Sequence, residues 1–417
     1  MRVVVVGAGV IGLSAALHLL EDGHEVLVLD RGAEGEEGAS YGNAGMVVPS
    51  HFVPLAAPGA VAQAVRWMPD PESPFRFVPR ASPELVRWGL AFWRAAGARR
   101  AEAAGHVLLA LSRASRAAYE ELEREVGPFG LRTEGLLMLS ATEHGRHEEA
   151  ALAERAARLG LDVEVLDPAG VAALEPRAGY AVVGGVHYRE DAHLDPGALM
   201  SRLLAAVRAR GGEVRRGAVV ERLLTRAGRV VGVSGAGLRE LADAVVLAAG
   251  AWSSSLARGV GLRLLLEPGT GYSLTVPAPA AGPRLPAILT EARVAVTPFG
   301  DRLRVGGTME IAGFPPDGAP ADPRRVRGIL SALGRYLPRL DRAPFEAATP
   351  WRGHRPVSPD GLPYLGVPRG LPGLVVATGH AMLGVSLAPV TGRVVAELVA
   401  GGAPDLPLEP LRPDRHT

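Results

Sequence analysis

The sequence predicts an α/β protein in which a Rossmann-type, doubly wound parallel sheet is joined to a second, α+β domain with a mainly antiparallel sheet. Three observations predict it. The chain opens with an apolar strand, a glycine-rich turn, a helix and a second apolar strand ending at Asp30, the order of a βαβ unit. Buried-strand character returns far downstream, at residues 244–248 and again at 374–377. Between these returns lie stretches of another kind, rich in Trp and Pro at residues 60–104 and alternating strands with proline-rich loops at 262–344.

Taken in order, residues 2–6 are a nearly continuous valine run, as a strand buried on both faces requires. Helical periodicity covers residues 10–22, Gly23 stops it, and residues 25–30 form the next strand. Residues 32–49 read as a glycine-rich loop. Helices are expected at 83–96 and 112–126, and a strand at 136–139. A helix at 148–159 reads as a return to the first domain. A helix at 196–210 follows, ended by Gly211-Gly212, with strands at 213–215 and 218–224 and a hairpin turning at Ala227-Gly228. The end of the chain repeats the pattern of its start, with a strand at 374–377, a loop at 378–384 and a helix at 387–399. The first domain is therefore expected from three pieces, residues 1–59, 146–261 and 345–417, and the second from 60–145 and 262–344.

Composition removes several kinds of chemistry. The 417 residues are 47% hydrophobic and 21% charged, with a formal net charge of +1, so no global field favours nucleic acid. All 45 basic Lys/Arg positions are Arg, which rules out a lysine Schiff base. Cysteine is absent, so disulfides, cysteine-held iron–sulfur clusters and a cysteinyl flavin link are ruled out as well. No His/Asp/Glu cluster has metal-ligand spacing, and the expected metal content is none. Residues 3–20 are mostly apolar, but their fixed glycines and the second apolar run fit a strand–turn–helix–strand unit rather than a signal or a membrane span. The expectation is a cytoplasmic protein without a transmembrane segment, with peripheral contact at the inner membrane face left open. The segment holding Trp67, Trp88 and Trp93 is read as core, with interface and membrane patch as the alternatives.

The motifs that carry chemistry lie in the expected strand-end loops of the first domain. Gly7-Ala8-Gly9-Val10-Ile11-Gly12 has the spacing at which the first glycine allows a tight turn, the second lets backbone approach a pyrophosphate and the third packs helix on strand. Free N–H groups at the helix start then face the phosphate charge. Asp30, 18 residues after Gly12, stands where a carboxylate binds a ribose hydroxyl. FAD and NAD both remain open on these glycines. Ala39-Ser40-Tyr41-Gly42-Asn43-Ala44-Gly45 supplies small and hydrogen-bonding residues beyond that acid, and a surface turn is the competing reading. A buried strand delivers Gly250-Ala251-Trp252-Ser253 to the ligand edge of the sheet. Thr378-Gly379-His380-Ala381-Met382-Leu383-Gly384 precedes a helix whose N-terminus favours negative charge. In Trp351-Arg352-Gly353-His354-Arg355-Pro356, an Arg beside a rigid Pro can bind a carboxylate with two parallel bonds, although most arginines of an Arg-rich chain are surface charges.

Together with Leu55-Ala56-Ala57-Pro58-Gly59, Gly271-Tyr272-Ser273-Leu274-Thr275, Arg304-Val305-Gly306-Gly307-Thr308-Met309-Glu310-Ile311 and Arg355-Pro356-Val357-Ser358-Pro359-Asp360-Gly361, these segments resemble the D-amino acid oxidase superfamily of flavoproteins. Within it the chain is most similar to bacterial D-amino acid dehydrogenases of the small-subunit type, and glycine oxidases and D-hydroxyproline dehydrogenases share much of the pattern. The resemblance implies non-covalent FAD held by Gly7, Gly9, Val10, Ile11, Gly12, Asp30, Arg31, Ser40, Asn43, Ala44, Gly45, Val220, Gly250, Trp252, Gly379, His380 and Gly384. It implies Arg355 as carboxylate anchor, with Tyr272 and His380 lining the substrate site, and no catalytic side chain, because flavin N5 accepts the hydride from Cα. The implied reaction is oxidative deamination of a D-amino acid to an imino acid, which hydrolyses to a 2-oxo acid and ammonia. Oxidation of D-proline, hydroxyproline or glycine is the alternative, and an electron-transfer flavoprotein without turnover of its own is the alternative of another class. The electron acceptor is a quinone, a partner flavoprotein or oxygen. Two departures stand out: Thr270 occupies a position where relatives commonly carry Lys, and Ala295 one where glycine oxidases carry Tyr.

Overall fold

A computed structural model describes residues 1–36, 38–316 and 319–416; position 37 of the expected glycine-rich loop is outside them. Its parallel sheet has six strands in the order Tyr364–Gly366, Leu374–Thr378, Ala244–Leu247, Arg2–Val6, Glu25–Leu29 and Glu213–Arg215. All pairings are parallel except that of Tyr364–Gly366. The valine run explains why the first strand lies at its centre. Val3 and Val5 pack into the layer formed by helices Val10–Glu21, Pro196–Ala209 and Ala388–Val399, while Val4 and Val6 pack into the opposite one. A strand apolar at every position can be buried on both faces, and here each of these valines is 4% exposed or less. The opposite layer includes the small antiparallel sheet Arg222–Arg226, Arg229–Gly235 and Leu238–Leu241. Its first hairpin turns at Ala227 (φ 49°) and Gly228 (φ 77°), two left-handed residues that match the strand twist.

The second sheet is mixed and mainly antiparallel, with nine strands. Trp351–Val357, Glu267–Pro277, Arg302–Ile311 and Val294–Phe299 run side by side at one end, and Ala287–Leu289, Leu136–Ser140, Gly184–Tyr188 and Val163–Leu166 continue it. Phe75–Phe77 adds a short strand beside Arg302–Ile311. On one face Tyr272, Leu274 and Val276 pack against Ile329, Leu333 and Tyr336 of the helix Pro323–Tyr336. The other face looks toward the parallel sheet, and the candidate site lies between the two.

Packing partners depart from the expected division at two places. The helix expected at 112–126 spans Ala98–Val126 and packs on Ala388–Val399 and Pro196–Ala209, beside the parallel sheet. The helix expected to resume the first domain is Glu143–Arg158, and it packs on Leu136–Ser140, Val163–Leu166 and Gly184–Tyr188 of the mixed sheet. Periodicity reports that a helix has an apolar face but not which sheet covers it. The reading of the Trp segment as core holds for Trp88, which is buried and donates from Nε1 to Val357 O at 2.9 Å, but not for Trp93, which is 68% exposed.

Candidate active site

Carboxyl ends of neighbouring parallel strands bring the nucleotide motifs together. The Gly7 turn follows Arg2–Val6, Asp30 follows Glu25–Leu29, Gly250 follows Ala244–Leu247, and Gly379 follows Leu374–Thr378. Gly7 has φ +109°, and a Cβ there would overlap the Ala248 carbonyl, while a Cβ on Gly12 would overlap Gly7 O. Gly9 is different: a Cβ there would meet only Ser40 Oγ at 3.5 Å, so its outer side is open. The helix Val10–Glu21 has no acidic residue in its first turn and no side-chain cap from Gly9. Val10 N–H donates to Ser40 Oγ at 3.0 Å. Asp30 takes Ala8 N–H on Oδ2 (2.6 Å) and Gly32 N–H on Oδ1 (2.8 Å), and Arg216 stands 3.4 Å from it. These bonds fix the carboxylate beside the glycine turn.

The loop holding Ser40, Asn43, Ala44 and Gly45 joins the two sheets. On the parallel-sheet side it is tied by Ser40. On the other side Arg304 donates from Nη1 to Tyr41 O and Asn43 O, both at 2.7 Å, and Ser273 Oγ donates to Gly42 O at 3.2 Å. Gly42 lies under the Trp351 ring, where any side chain would overlap it. Asn43 Oδ1 accepts from Gly45 N–H at 2.8 Å, which holds Gly45 at φ +69° against Leu194 O. Local sequence left a surface turn and a ligand loop in balance; the interdomain bonds give this loop a fixed shape.

Gly250 opens a 3-10 turn with nothing within 4 Å of where a Cβ would stand. Thr378 Oγ1 donates to Gly250 O at 2.9 Å, so the two loops share one brace. Trp252 stacks on Phe314 with centroids 4.8 Å apart, and Arg31 lies 4.8 Å over its ring. Val220 follows Ala218, whose N–H donates to Asp30 O at 2.8 Å, so it borders the same strand end. Gly384 leaves open space on its Cβ side, its nearest neighbour being His380 Cβ at 3.9 Å. The His380 ring is buried, with Nε2 3.1 Å from Thr391 Oγ1, and burial lowers its pKa to about 3, so it is neutral. Its imidazole is engaged with the helix Ala388–Val399; its backbone forms a bridge to Val357, two residues past Arg355.

Arg355 sits on the mixed-sheet face that meets these loops. Its guanidinium covers Gly271, where a Cβ would overlap Nη1, Cζ and Nη2. Nη1 donates to Thr308 O at 2.8 Å. No carboxylate pairs with it among the described residues, and burial alone draws its pKa down to about 10, which leaves it cationic at neutral pH. A β-bulge presents that carbonyl: Thr270 pairs Glu310 and Tyr272 pairs Gly307, so Thr308 and Met309 together oppose Gly271. Thr308 is consequently held at φ +66°, a strained conformation for a β-branched residue. Tyr272 is not brought together with Arg355. Strand alternation turns it to the opposite face, where it joins the core under Pro323–Tyr336 and reaches Glu310 Oε2 at 3.5 Å.

Residues 2–398 match the family described as FAD dependent oxidoreductase, DAO. The chain belongs to this family. A D-amino acid dehydrogenase of Methylobacterium nodulans is 38% identical over 434 residues, covering 100% of this chain and 99% of the relative. One from Paramagnetospirillum magneticum is 35% identical over 424 residues, with 100% and 99% covered. The crystal structure of glycine oxidase from Geobacillus kaustophilus superposes with a TM-score of 0.78 at 25% identity, covering 100% and 99% of the two chains. Membership decides for FAD over NAD, and the predicted fold class is borne out. The DAO-family cofactor suits the residues present: open space at Gly9 and Gly250, a helix start free of acidic side chains, and a carboxylate beside the glycine turn.

Several residues escaped the sequence reading because their roles arise only from contacts across long stretches of chain. Arg304 and Trp351 shape the Ser40–Gly45 loop from more than 260 positions away, and Thr308 aims its carbonyl through a bulge that no motif signals. Ser50, His51 and Asp191 form a hydrogen-bonded chain. Among the described residues there is no group of acidic, His or Cys side chains fit to hold a metal, and no helix long and apolar enough to cross a membrane.

Proposed function

We propose that the protein oxidises a D-amino acid at the face of the mixed sheet that carries Arg355. The single observation that carries this reading is the half-buried Arg355 guanidinium, which pairs with no carboxylate among the described residues and is braced by Thr308 O over a glycine floor. An α-carboxylate meeting it gains charge-assisted bonds in a site already cleared of competing acids. The names of the full-length relatives support the D configuration. Ala295, small and partly buried beside Met46 and Leu383, leaves room for a substrate side chain.

When bound, FAD supplies the hydride acceptor for the substrate Cα. Arg355 fixes one end of the substrate, so rotation about the carboxylate axis is the freedom left to settle. The loops at Gly42 and Gly379 close the site from the parallel-sheet side. The amine has to be neutral at the moment of oxidation, so one proton leaves the ammonium group. The product imino acid hydrolyses in water to a 2-oxo acid and ammonia.

The acceptor reading we favour is a membrane quinone reached by peripheral contact. Val61, Val65, Met68, Val86, Leu90 and Trp93 are exposed on helices Ala60–Trp67 and Pro83–Ala95 and at the C-cap of the first, with Arg66, Arg87 and Arg94 alongside, a mixture suited to an anionic lipid surface.

Anaerobic bleaching of the bound flavin by a panel of D- and L-amino acids, glycine and hydroxyproline tests the reading. Rapid loss of the oxidised-flavin band with a D-amino acid is the expected result. A flavoprotein that no member of the panel reduces would remove the proposed chemistry.

A further inference from the structure

A buried acid, a hydroxyl and an imidazole are hydrogen-bonded in series where residues 46–55 run between two apolar clusters. Asp191 is fully buried; its Oδ1 accepts Ser50 N–H at 3.0 Å, and its Oδ2 accepts the Ser50 hydroxyl. The same Ser50 Oγ lies 2.9 Å from His51 Nδ1. A serine hydroxyl has one proton to donate. Given to the carboxylate, it leaves only a lone pair for the ring, so His51 must carry its proton on Nδ1. The free lone pair of the neutral imidazole is then on Nε2, to which no described residue hydrogen-bonds.

Position relates this chain to Arg355. Residues 46–55 cross from the cluster of Met46, Val48, Ala295 and Leu383 to that of Leu55, Met309, Val357 and Ala381, with His51 between. Arg293 is near enough to act on the His51 ring, and its carbonyl abuts Gly307, next to the Thr308 that braces Arg355.

Resting on the reading of the site as one that oxidises an amino acid, we propose that His51, Ser50 and Asp191 form a relay that removes the ammonium proton of the substrate. The N–H bond of the ammonium breaks and a proton joins His51 Nε2. The Nδ1 proton passes to Ser50 Oγ, and the hydroxyl proton passes to Asp191 Oδ2. One proton enters at Nε2, one arrives on the carboxylate, and the imidazole and hydroxyl end neutral. Ser50 and Asp191 act through His51 and are positioning residues.

Burial favours this direction of transfer. It raises the Asp191 carboxyl to about 7, so the acid can hold a proton near neutrality. Burial, aided by Arg293, lowers His51 to about 4, so an imidazolium does not accumulate and the ring hands its proton on. The charged and titratable groups around the chain are Arg116 of the helix Ala98–Val126, Glu190 and Tyr188 beside Asp191, Glu149 next to Tyr188, and Arg293 facing His51.

The test compares holoenzyme carrying Ser50→Ala, Asp191→Asn or Ser50→Thr with wild type, by the rate of anaerobic flavin reduction across pH. The first two are expected to be slower by about 100-fold at neutral pH, the scale of general-base assistance, and to converge on wild type where the amine is already deprotonated. Ser50→Thr keeps the hydroxyl and keeps the rate. Nitrogen NMR of the His51 ring gives a second readout that needs no turnover: wild type is expected to show the Nδ1–H tautomer, and Ser50→Ala to lose that preference. An Nε2–H ring in wild type, or variants that match wild type or are slowed equally at every pH, would overturn the relay alone. A wild-type flavin reduced by no amino acid would take the functional reading down first, and the relay with it.

Discussion

The Arg355 guanidinium lies directly over Gly271, on the neighbouring strand, in space that any Cβ at position 271 would occupy. The glycine is there for the arginine. Gly271→Ala is therefore expected to raise KM for the amino acid at least about tenfold, the cost of misaligning one charge-assisted pair, while the purified protein keeps its flavin spectrum. Steady-state kinetics beside a visible spectrum checks both halves.

Substitution of the arginine itself separates charge from shape. Arg355→Lys keeps a cation but loses the planar fork, and Arg355→Ala loses both. KM is expected to rise in that order, by about 30-fold or more for Ala, since losing one partner of a buried charge pair costs about 2–5 kcal/mol. An unchanged KM in Arg355→Ala would remove this residue from carboxylate binding.

Flavin retention should depend on the opening turn. Gly7→Ala puts a methyl group against the Ala248 carbonyl at φ +109°, and Gly12→Ala puts one against Gly7 O. Either variant, if folded by circular dichroism, is expected to purify without yellow colour and with its FAD affinity strongly reduced. Gly9→Ala meets only Ser40 Oγ, so its effect is to be read in the presence of FAD, through the approach of the pyrophosphate rather than through the apoprotein's stability.

Strain at Thr308 predicts an inverse pair of effects. Thr308→Gly removes a β-branched side chain from φ +66°, and should raise thermal stability where the relief, about 1–3 kcal/mol, exceeds the added freedom of the unfolded chain. The same change loosens the carbonyl that braces Arg355, so KM is expected to increase as Tm rises. Calorimetry and kinetics on one preparation test it.

The C-terminal tail contributes pH-dependent stability. Arg415 forms two bonds to Asp360, Nε to Oδ2 at 2.7 Å and Nη2 to Oδ1 at 2.9 Å, and His416 lies 3.2 Å from Oδ2. Burial alone would raise this carboxyl, but Arg415 and His416 outweigh it and hold the folded-state pKa well below the ordinary carboxylate range. A depressed folded pKa means that stability is fully present above the unfolded value, near 3.9, and is lost as pH falls below it. Arg415→Ala is expected to cost about 3 kcal/mol near neutrality, the scale for breaking a buried pair, and progressively less in acid. Denaturant melts at two pH values measure the difference.

The parts of the molecule legible in the sequence were those whose partners lie close by or whose chemistry is written in single residues. The strand at residues 2–6, its glycine turn and the hairpin at Ala227-Gly228 appear where local pattern put them, because valine runs and left-handed turns depend on few distant contacts. Arg355 stands out through the family resemblance, since its local sequence favours a surface charge, and its isolation from acids is visible only in the fold. Tyr272 shows the opposite limit: its place in a motif could not reveal that strand alternation turns it away from Arg355. The helix Glu143–Arg158 read correctly as a helix and was assigned the wrong neighbour, since an apolar stripe fits either sheet.

The interleaving of the parallel sheet sets a limit on biosynthesis. Its strands come from residues 2–6, 25–29, 213–215, 244–247, 364–366 and 374–378. On the ribosome the strand at residues 2–6 waits until residues 244–247 have emerged before it is flanked on both sides. The brace between Thr378 and Gly250 closes only after residue 378 has emerged. A nascent chain of this protein must therefore keep its apolar valine strand shielded until residues 244–247 emerge, and no fragment ending before Thr378 carries a finished nucleotide cleft.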